Sequence, residues 1–363
     1  MKKLVNDFLD RYFHDEESII LMLLLTVGLG VLLLFGGVLA PLITAIIIAY
    51  LMQGLVEILL RRGLSSRIAF VLVYAVFIGV FLSMLLFLLP SAWNQLRRLM
   101  NELPNLISQW QASLLLLPEN YPNLVSEQQI REFISGVQGE LGGYGQSVLE
   151  YSLASIPSII STVVFIVLVP ILVYFVMKDK SDLINWAGNF LPRNRPLMNR
   201  IWLEMDQQIS NYIRGKVLEI FIVGSVSYLM FVILGINYAL LLSVLVGLSV
   251  IVPYIGATVV TIPVAAVAYV QWGIGSEFYT VLVAYGVLQL VDGNVLVPVI
   301  FSEAVNLHPV AIIAAVLVFG GIWGLAGVFF AIPLATLVKA IINAWPNKIQ
   351  PSAGPDEQEG GAV

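Results

Sequence analysis

Cysteine is absent from the chain, which excludes disulfides, thiolate nucleophiles and cysteine-based metal sites. Histidine occurs only as His14 and His308, too few for a multi-histidine metal centre within one chain. There is no Walker A phosphate loop and no HExxH zinc motif, so direct ATP coupling and zinc hydrolysis lack their residues. The run "GSVS" at 224–227 has no histidine or lysine partner in the same leaflet and reads as small residues for helix packing. No catalytic residue, cofactor or metal is therefore expected. Charge is also scarce: 11% of residues are charged, against about 25% in an average soluble domain. The net charge of −5 is small and the basic residues are gathered in separate loops, which leaves no footprint for a nucleic-acid partner.

What fills the chain instead is apolar. Hydrophobic residues make up 59% and the mean hydropathy is +0.92, values of an integral membrane protein of the all-α polytopic class. Apolar runs at 19–36, 38–60 and 68–89 predict three transmembrane helices within residues 1–90, with Gly36 and Gly37 as the turn between the first two. Residues 91–154 change character, with polar and apolar positions alternating at helical spacing, and form an extramembranous amphipathic insert. Its apolar face, Leu96, Met100, Leu103, Leu106, Ile107 and Trp110, needs burial, which a homo-oligomer or a partner would supply. A fourth helix occupies 155–177, a basic loop 178–216, and a membrane core with two broken hairpins 217–345; residues 346–363 form a disordered tail.

Orientation follows from the Lys and Arg count, because basic residues are retained in the cytoplasm. The N-terminus carries three, the loop at 61–67 three and 178–216 seven, whereas the long insert has three against six acidic residues. Cytoplasmic termini, an external insert and a cytoplasmic 178–216 loop satisfy this pattern.

The core is unusual. The apolar piece 240–252 covers about 20 Å at 1.5 Å per residue, short of a hydrocarbon core of about 30 Å. "VPYIG" then breaks the helix at Pro253, Tyr254 and Gly256, and a second piece follows. "GATVVTIPVAAV" at 256–267 is similar to "AGVFFAIPLATLV" at 326–338, with Ile262-Pro263 matching Ile332-Pro333 seventy residues later. The second copy follows the break "GGIWG", with Gly320, Gly321 and Gly324. Two such hairpins flanking one span at about 279–300 would form an inverted repeat, and broken backbone at membrane depth marks a substrate or ion pathway. Helices merely kinked at proline are the alternative. Six crossings and two hairpins give about eight membrane units.

Polar residues cluster in "LVDGNVLVPVIFSEAVNLHP" (290–309). A carboxylate at the centre of a membrane helix costs roughly 2.5–3.5 kcal/mol on insertion scales, so Asp292 reads either as a buried functional group, with Gln289 on its face, or as an interfacial helix cap. Pro298 leaves the Asn294 carbonyl without its helical donor, so that carbonyl and the Asn294 amide are candidates to face a cavity. Glu303, Asn306 and His308 bracket a turn; a solvated helix start accounts for them, and gating or proton relay is their functional alternative. Glu57 with Arg61, and Lys216 with Glu219, read as interfacial helical pairs. Tyr212 and Arg214 in "NYIRGK" read as headgroup anchors.

The segments "VPYIGATVVTIP", "NYIRGK" and the stretch from "DGNVLVPVIF" to "FFAIPLATLVKAI" resemble the signature of the autoinducer-2 exporter family of bacterial permeases. The resemblance runs from Met1 to Pro346 and is most specific at Asn294–Pro298, His308-Pro309 and the glycine-rich parts. It implies an inner-membrane protein of about eight segments. It also implies an exporter of a small polar solute, or an antiporter of Na⁺ or Li⁺ against H⁺. The combined reading is a secondary-active or facilitative permease working by alternating access, its partners being membrane lipid and a small polar solute, a monovalent cation or a proton. Its site is expected between the hairpins and the seventh unit, and a non-transporting oligomeric scaffold is the alternative of another class. Single cysteines at Gly36 and in the 91–154 insert are expected to label from outside intact cells while one at Ser181 does not; external labelling at Ser181 would reverse the orientation.

Overall fold

The computed structural model describes residues 16–115, 128, 135, 156–193, 195–253, 255–301 and 307–344. These residues are helical, with no strand among them: α1 (Glu16–Arg61), α2 (Ser66–Ser83), α3 (Leu89–Leu115), α4 (Ile156–Lys178), α5 (Lys180–Gly188), α6 (Pro196–Leu234), α7 (Ala239–Ser249), α8 (Ile255–Trp272), α9 (Ser276–Val291), α10 (Val297–Phe301) and α11 (Pro309–Ala344). Short π-helical turns, Met84–Leu88 and Asp292–Leu296, join α2 to α3 and α9 to α10. Among the described residues, five helices are long and apolar enough to cross a membrane, or six if Thr162–Lys178 and Lys180–Gly188, bent by 76°, count as one span. Leu34 and Val38 are each 80% exposed, the apolar exterior that lipid demands.

Two expectations are corrected. α1 continues through Gly36, Gly37 and Pro41, so the first two expected crossings form one helix and the turn between them is not made. Two helical glycines cost only about 1 kcal/mol each relative to alanine, too little to end a helix whose flanking residues are apolar helix formers. The 178–216 segment is not a loop: it holds α5 and the first half of α6. Of the insert, 116–154 lies outside the described residues except for Gln128 and Ser135, as does the 346–363 tail.

The chain divides into two compact units. The first comprises Met1–Ala40, Lys180–Tyr212 and Glu303–Val363. Its core joins Leu21 of α1, Met198, Ile201 and Met205 of α6, and Ala340 of α11. Pro196 opens α6, and the Met198 N–H, one of the donors a helix start leaves free, is taken by the Glu17 carboxylate at 2.7 Å. The second unit comprises Pro41–Asp179 and Ile213–Ser302. One of its cores packs α1, α2 and α4 through Ala49, Val73 and Val173; the other packs α6 to α9 through Phe231, Val246, Val264 and Tyr285.

Each unit contains one of the two expected hairpins. α7 has 11 residues, about 16 Å of helix, and the chain turns back into α8. Gln271, at the end of α8, accepts the Asn237 N–H at 2.7 Å and donates to the Gly235 carbonyl at 2.8 Å. The hairpin therefore enters and leaves at one level. In the other unit α11 is broken at Gly324, whose φ of 58° lies in the left-handed region, giving Pro309–Gly324 and Gly327–Ile342. The tips share a device: a side chain at Gly256 would collide with the Ser249 carbonyl, and one at Gly327 with the Phe319 carbonyl.

Pro333 has no N–H for the Phe329 carbonyl four residues earlier. The Tyr212 hydroxyl donates to that oxygen at 2.9 Å, with Tyr212 2% exposed. Tyr212 is thus a buried donor, a correction of its reading as a headgroup anchor. Tyr212→Phe is expected to lower stability by about 1–3 kcal/mol, the cost of an unpaired buried polar group. Adding Pro333→Ala restores a helical donor and should recover part of the loss. Thermal unfolding of purified protein in detergent measures both, and an unchanged Tyr212→Phe protein would remove this role.

Candidate functional site

The polar site of the second unit is built on two helix faces. Along one face of α9 lie buried Tyr285, half-buried Gln289 and buried Asp292, at spacings of four and three, with Asp292 opening the π-turn. Proline causes that turn. Pro298 cannot donate to Asn294, and the preceding Val297 N–H reaches back five residues to the Asp292 carbonyl. The same arrangement occurs where the Leu89 N–H, just before Pro90, reaches the Met84 carbonyl. Asp292 is 9% exposed and its Oδ1 has no hydrogen-bond partner among the described residues; nor does Gln289 Nε2.

Along α6 the buried stripe is Lys216, Glu219, Val223, Ser227 and Phe231. Lys216 Nζ lies 2.8 Å from Glu219 Oε2, and the two residues are only 5% and 2% exposed. The ammonium also sits 5.5 Å from the Phe301 ring centroid, a cation–π distance. Close approach is possible because residue 215 is glycine: a Cβ there would lie 2.7 Å from Ile300 and Phe301. On the other side the Arg214 guanidinium packs so tightly on Gly54 that a Cβ there would lie 2.6 Å from it.

The α7–α8 hairpin packs between these faces. A Cβ on Gly247 would lie 3.0 Å from the Gly224 Cα, so α6 and α7 meet through their glycines. The Tyr285 hydroxyl donates to the Ala257 carbonyl at 3.0 Å. An open groove of about 740 Å³ runs between α8 and α9, with Thr258, Thr261, Tyr269, Tyr285 and Gln289 as its polar lining. The hairpin's entry is held by α3. Gln95 accepts the Leu241 N–H at 2.8 Å, and the Tyr238 hydroxyl donates to Glu102 at 2.5 Å. Burial, then the Glu102 bond, hold the Tyr238 hydroxyl's pKa up at about 12. Tyr238 also takes a left-handed φ of 59°, strain that this contact sustains.

The second unit thus holds a buried carboxylate with an unpartnered oxygen, a buried ion pair and a tight helical hairpin. The description "AI-2E family transporter" matches residues 19–347. The chain is 46% identical to "Putative permease PerM" of Escherichia coli (strain K12) over 347 residues, 96% of this chain and 98% of that protein. It is 25% identical to "AI-2 transport protein TqsA" of the same strain over 328 residues, 89% of this chain and 92% of that one. The chain belongs to the AI-2E transporter family. It is a multi-pass membrane permease.

The residues picked out from the sequence of this AI-2E protein divide sharply. Gln289, half-buried, and Asp292, buried, share one face of the helix, and Pro253 and Gly256 lie at the tip of the α7–α8 hairpin. Asn294 differs from expectation: it is exposed, and its amide donates to the Leu290 carbonyl of its own helix at 2.9 Å. Pro298 is exposed as well and acts through the π-turn. Gly320, Gly321 and Gly324 belong to the other unit and shape its hairpin. His308 starts α11, its Nδ1 accepting the Val310 N–H at 3.3 Å. Tyr254, Glu303 and Asn306 lie outside the described residues.

Lys216 and Glu219 are what sequence reasoning misses, since they read there as an interfacial pair. The available signal is their register with Val223, Ser227 and Phe231 along one buried face. Lys216→Met leaves the buried Glu219 carboxylate without its counter-charge and is expected to cost about 3–5 kcal/mol. Lys216→Met with Glu219→Gln should cost less, and Glu57→Gln, at an exposed position, should stay within about 0.5 kcal/mol. Unfolding midpoints in detergent compare the three; equal loss in the single and double variants would deny the coupling.

Proposed function

We propose that this AI-2E permease exports a small polar solute across the bacterial inner membrane by alternating access, driven by a proton or a monovalent cation that Asp292 binds. The carrying observation is the buried Asp292 carboxylate, with Oδ1 unpartnered, at the end of an apolar helix that packs beside the α7–α8 hairpin. A charge in that position is expensive and persists where it faces a pathway, and broken helices at membrane depth are the usual surroundings of transporter sites. Movement of the α7–α8 hairpin against α9 would open the groove lined by Thr261, Tyr285 and Gln289 to alternate sides. The distribution of Lys and Arg supports cytoplasmic termini. An antiporter of Na⁺ or Li⁺ against H⁺ would use the same carboxylate, with the cation as cargo. The name of the relative TqsA makes AI-2 the first solute to test.

The test is transport by purified protein in liposomes, with AI-2, Na⁺ or Li⁺ as the moved species and a pH-sensitive dye inside. Asp292→Asn keeps the side chain's volume and is expected to insert normally yet reduce gradient-driven movement to the level of empty vesicles. Glu57→Gln should transport like the natural protein. Full activity of Asp292→Asn would demote the residue to a helix cap and leave the Pro253–Gly256 break as the remaining candidate.

A further inference from the structure

We infer that α5 is a membrane-surface helix, docked by its apolar face on the anionic phospholipid headgroups where α4 leaves the bilayer. Along its nine residues and the turn that follows, Leu183, Ile184, Trp186, Ala187 and Phe190 fall on one side at helical spacing, with Asp182, Asn185 and Asn189 on the other. Such a face ordinarily packs inward, yet here all five apolar residues are exposed. Trp186 is 64% exposed and Phe190 67%, and their rings, 5.0 Å apart, touch each other instead of a core.

Both ends of the segment are tied to the boundaries of apolar helices. At its start only Asp179 separates α5 from α4, whose 23 residues make about 34 Å of helix and cross a hydrocarbon core of about 30 Å unaided. Lys178 closes that span with its Nζ 5.7 Å from the Tyr174 ring centroid, a pairing of cation and aromatic ring suited to headgroup level. At its end the Arg195 guanidinium donates to the Gly188 carbonyl at 3.1 Å, which folds the following turn back onto the helix. Pro196 then opens α6. Glu17, which accepts the Met198 N–H at 2.7 Å, stands two residues before the apolar run of α1 begins at Ile19. A segment held in this way has the bilayer within reach of its exposed face.

Charge selects the occupant. From Lys178 to Arg200 the chain carries five basic residues and two acidic ones, an excess attracted to the anionic lipids of the cytoplasmic leaflet. A helix with aromatic and aliphatic side chains on one face and polar ones on the other settles about 5–10 Å deep, between headgroups and acyl chains. Its polar face keeps α5 from serving as a span, since Asp182, Asn185 and Asn189 would be expensive in hydrocarbon. The inference stands apart from Asp292 and from any transported solute.

The chain has no native cysteine, so single labels report cleanly. Full-length protein carrying an environment-sensitive fluorophore on Ala187→Cys or on Asn185→Cys is reconstituted in phosphatidylcholine vesicles with or without phosphatidylglycerol, and quenchers are supplied to both faces. With phosphatidylglycerol, the label at 187 should be quenched by phospholipid spin-labelled high on its acyl chain and shielded from aqueous acrylamide; the label at 185 should behave in the reverse way. Arg193→Gln with Arg200→Gln, both at exposed positions, should bring lipid quenching at 187 down to the level seen without phosphatidylglycerol. Trp186→Ser with Phe190→Ser should open 187 to acrylamide. Acrylamide access at 187 without those substitutions overturns the proposal. So does shielding from acrylamide and from the lipid spin label alike, which would mean that a second copy or another part of the chain covers the face. Equal lipid quenching with and without phosphatidylglycerol would overturn the choice of anionic headgroups.

Discussion

A carbonyl oxygen or a charge inside hydrocarbon has no water to turn to, and this requirement organises the whole molecule. It explains why the described residues are helical and why departures from the helix carry local compensation. Pro298 and Pro90 each withdraw a donor, and in both places the residue before the proline reaches back five positions in a π-turn. Pro333 withdraws another, and the Tyr212 hydroxyl takes the carbonyl that is left. The hairpin tips close so tightly that only glycine fits against the carbonyls of Ser249 and Phe319.

The same rule governs the charges. Lys216 and Glu219 are tolerated in the interior because they neutralise each other at 2.8 Å, and the Phe301 ring lies over the ammonium. Asp292, buried on a neighbouring helix, has an oxygen without any partner among the described residues. That is the contrast between a satisfied ion pair and an unsatisfied carboxylate. Both lie in the second unit, where α6, the α7–α8 hairpin and α9 pack around one apolar core.

The motif "NYIRGK" gains a physical meaning residue by residue. Tyr212 serves the proline-broken helix of its own unit. Arg214 packs on Gly54, Gly215 admits the end of α10, and Lys216 supplies the buried cation. A segment that reads from composition as a basic membrane entry is a set of four distinct contacts.

The sequence by itself determined the solvent, the helical class and the punctuation. Hydropathy and the scarcity of charge require a membrane, and the breaks at Pro253–Gly256 and Gly320–Gly324 were legible because glycine and proline act locally. Asp292 was legible too, since a carboxylate in an apolar run has few explanations. Partnership was not. Whether Gly36 and Gly37 turn, whether Asn294 points inward, and whether Lys216 and Glu219 meet lipid headgroups or pack inside depend on which helix lies alongside. That is a matter of tertiary packing: α6 and α9 meet in one apolar core through Val223, Phe231, Val281 and Tyr285, which no local pattern encodes.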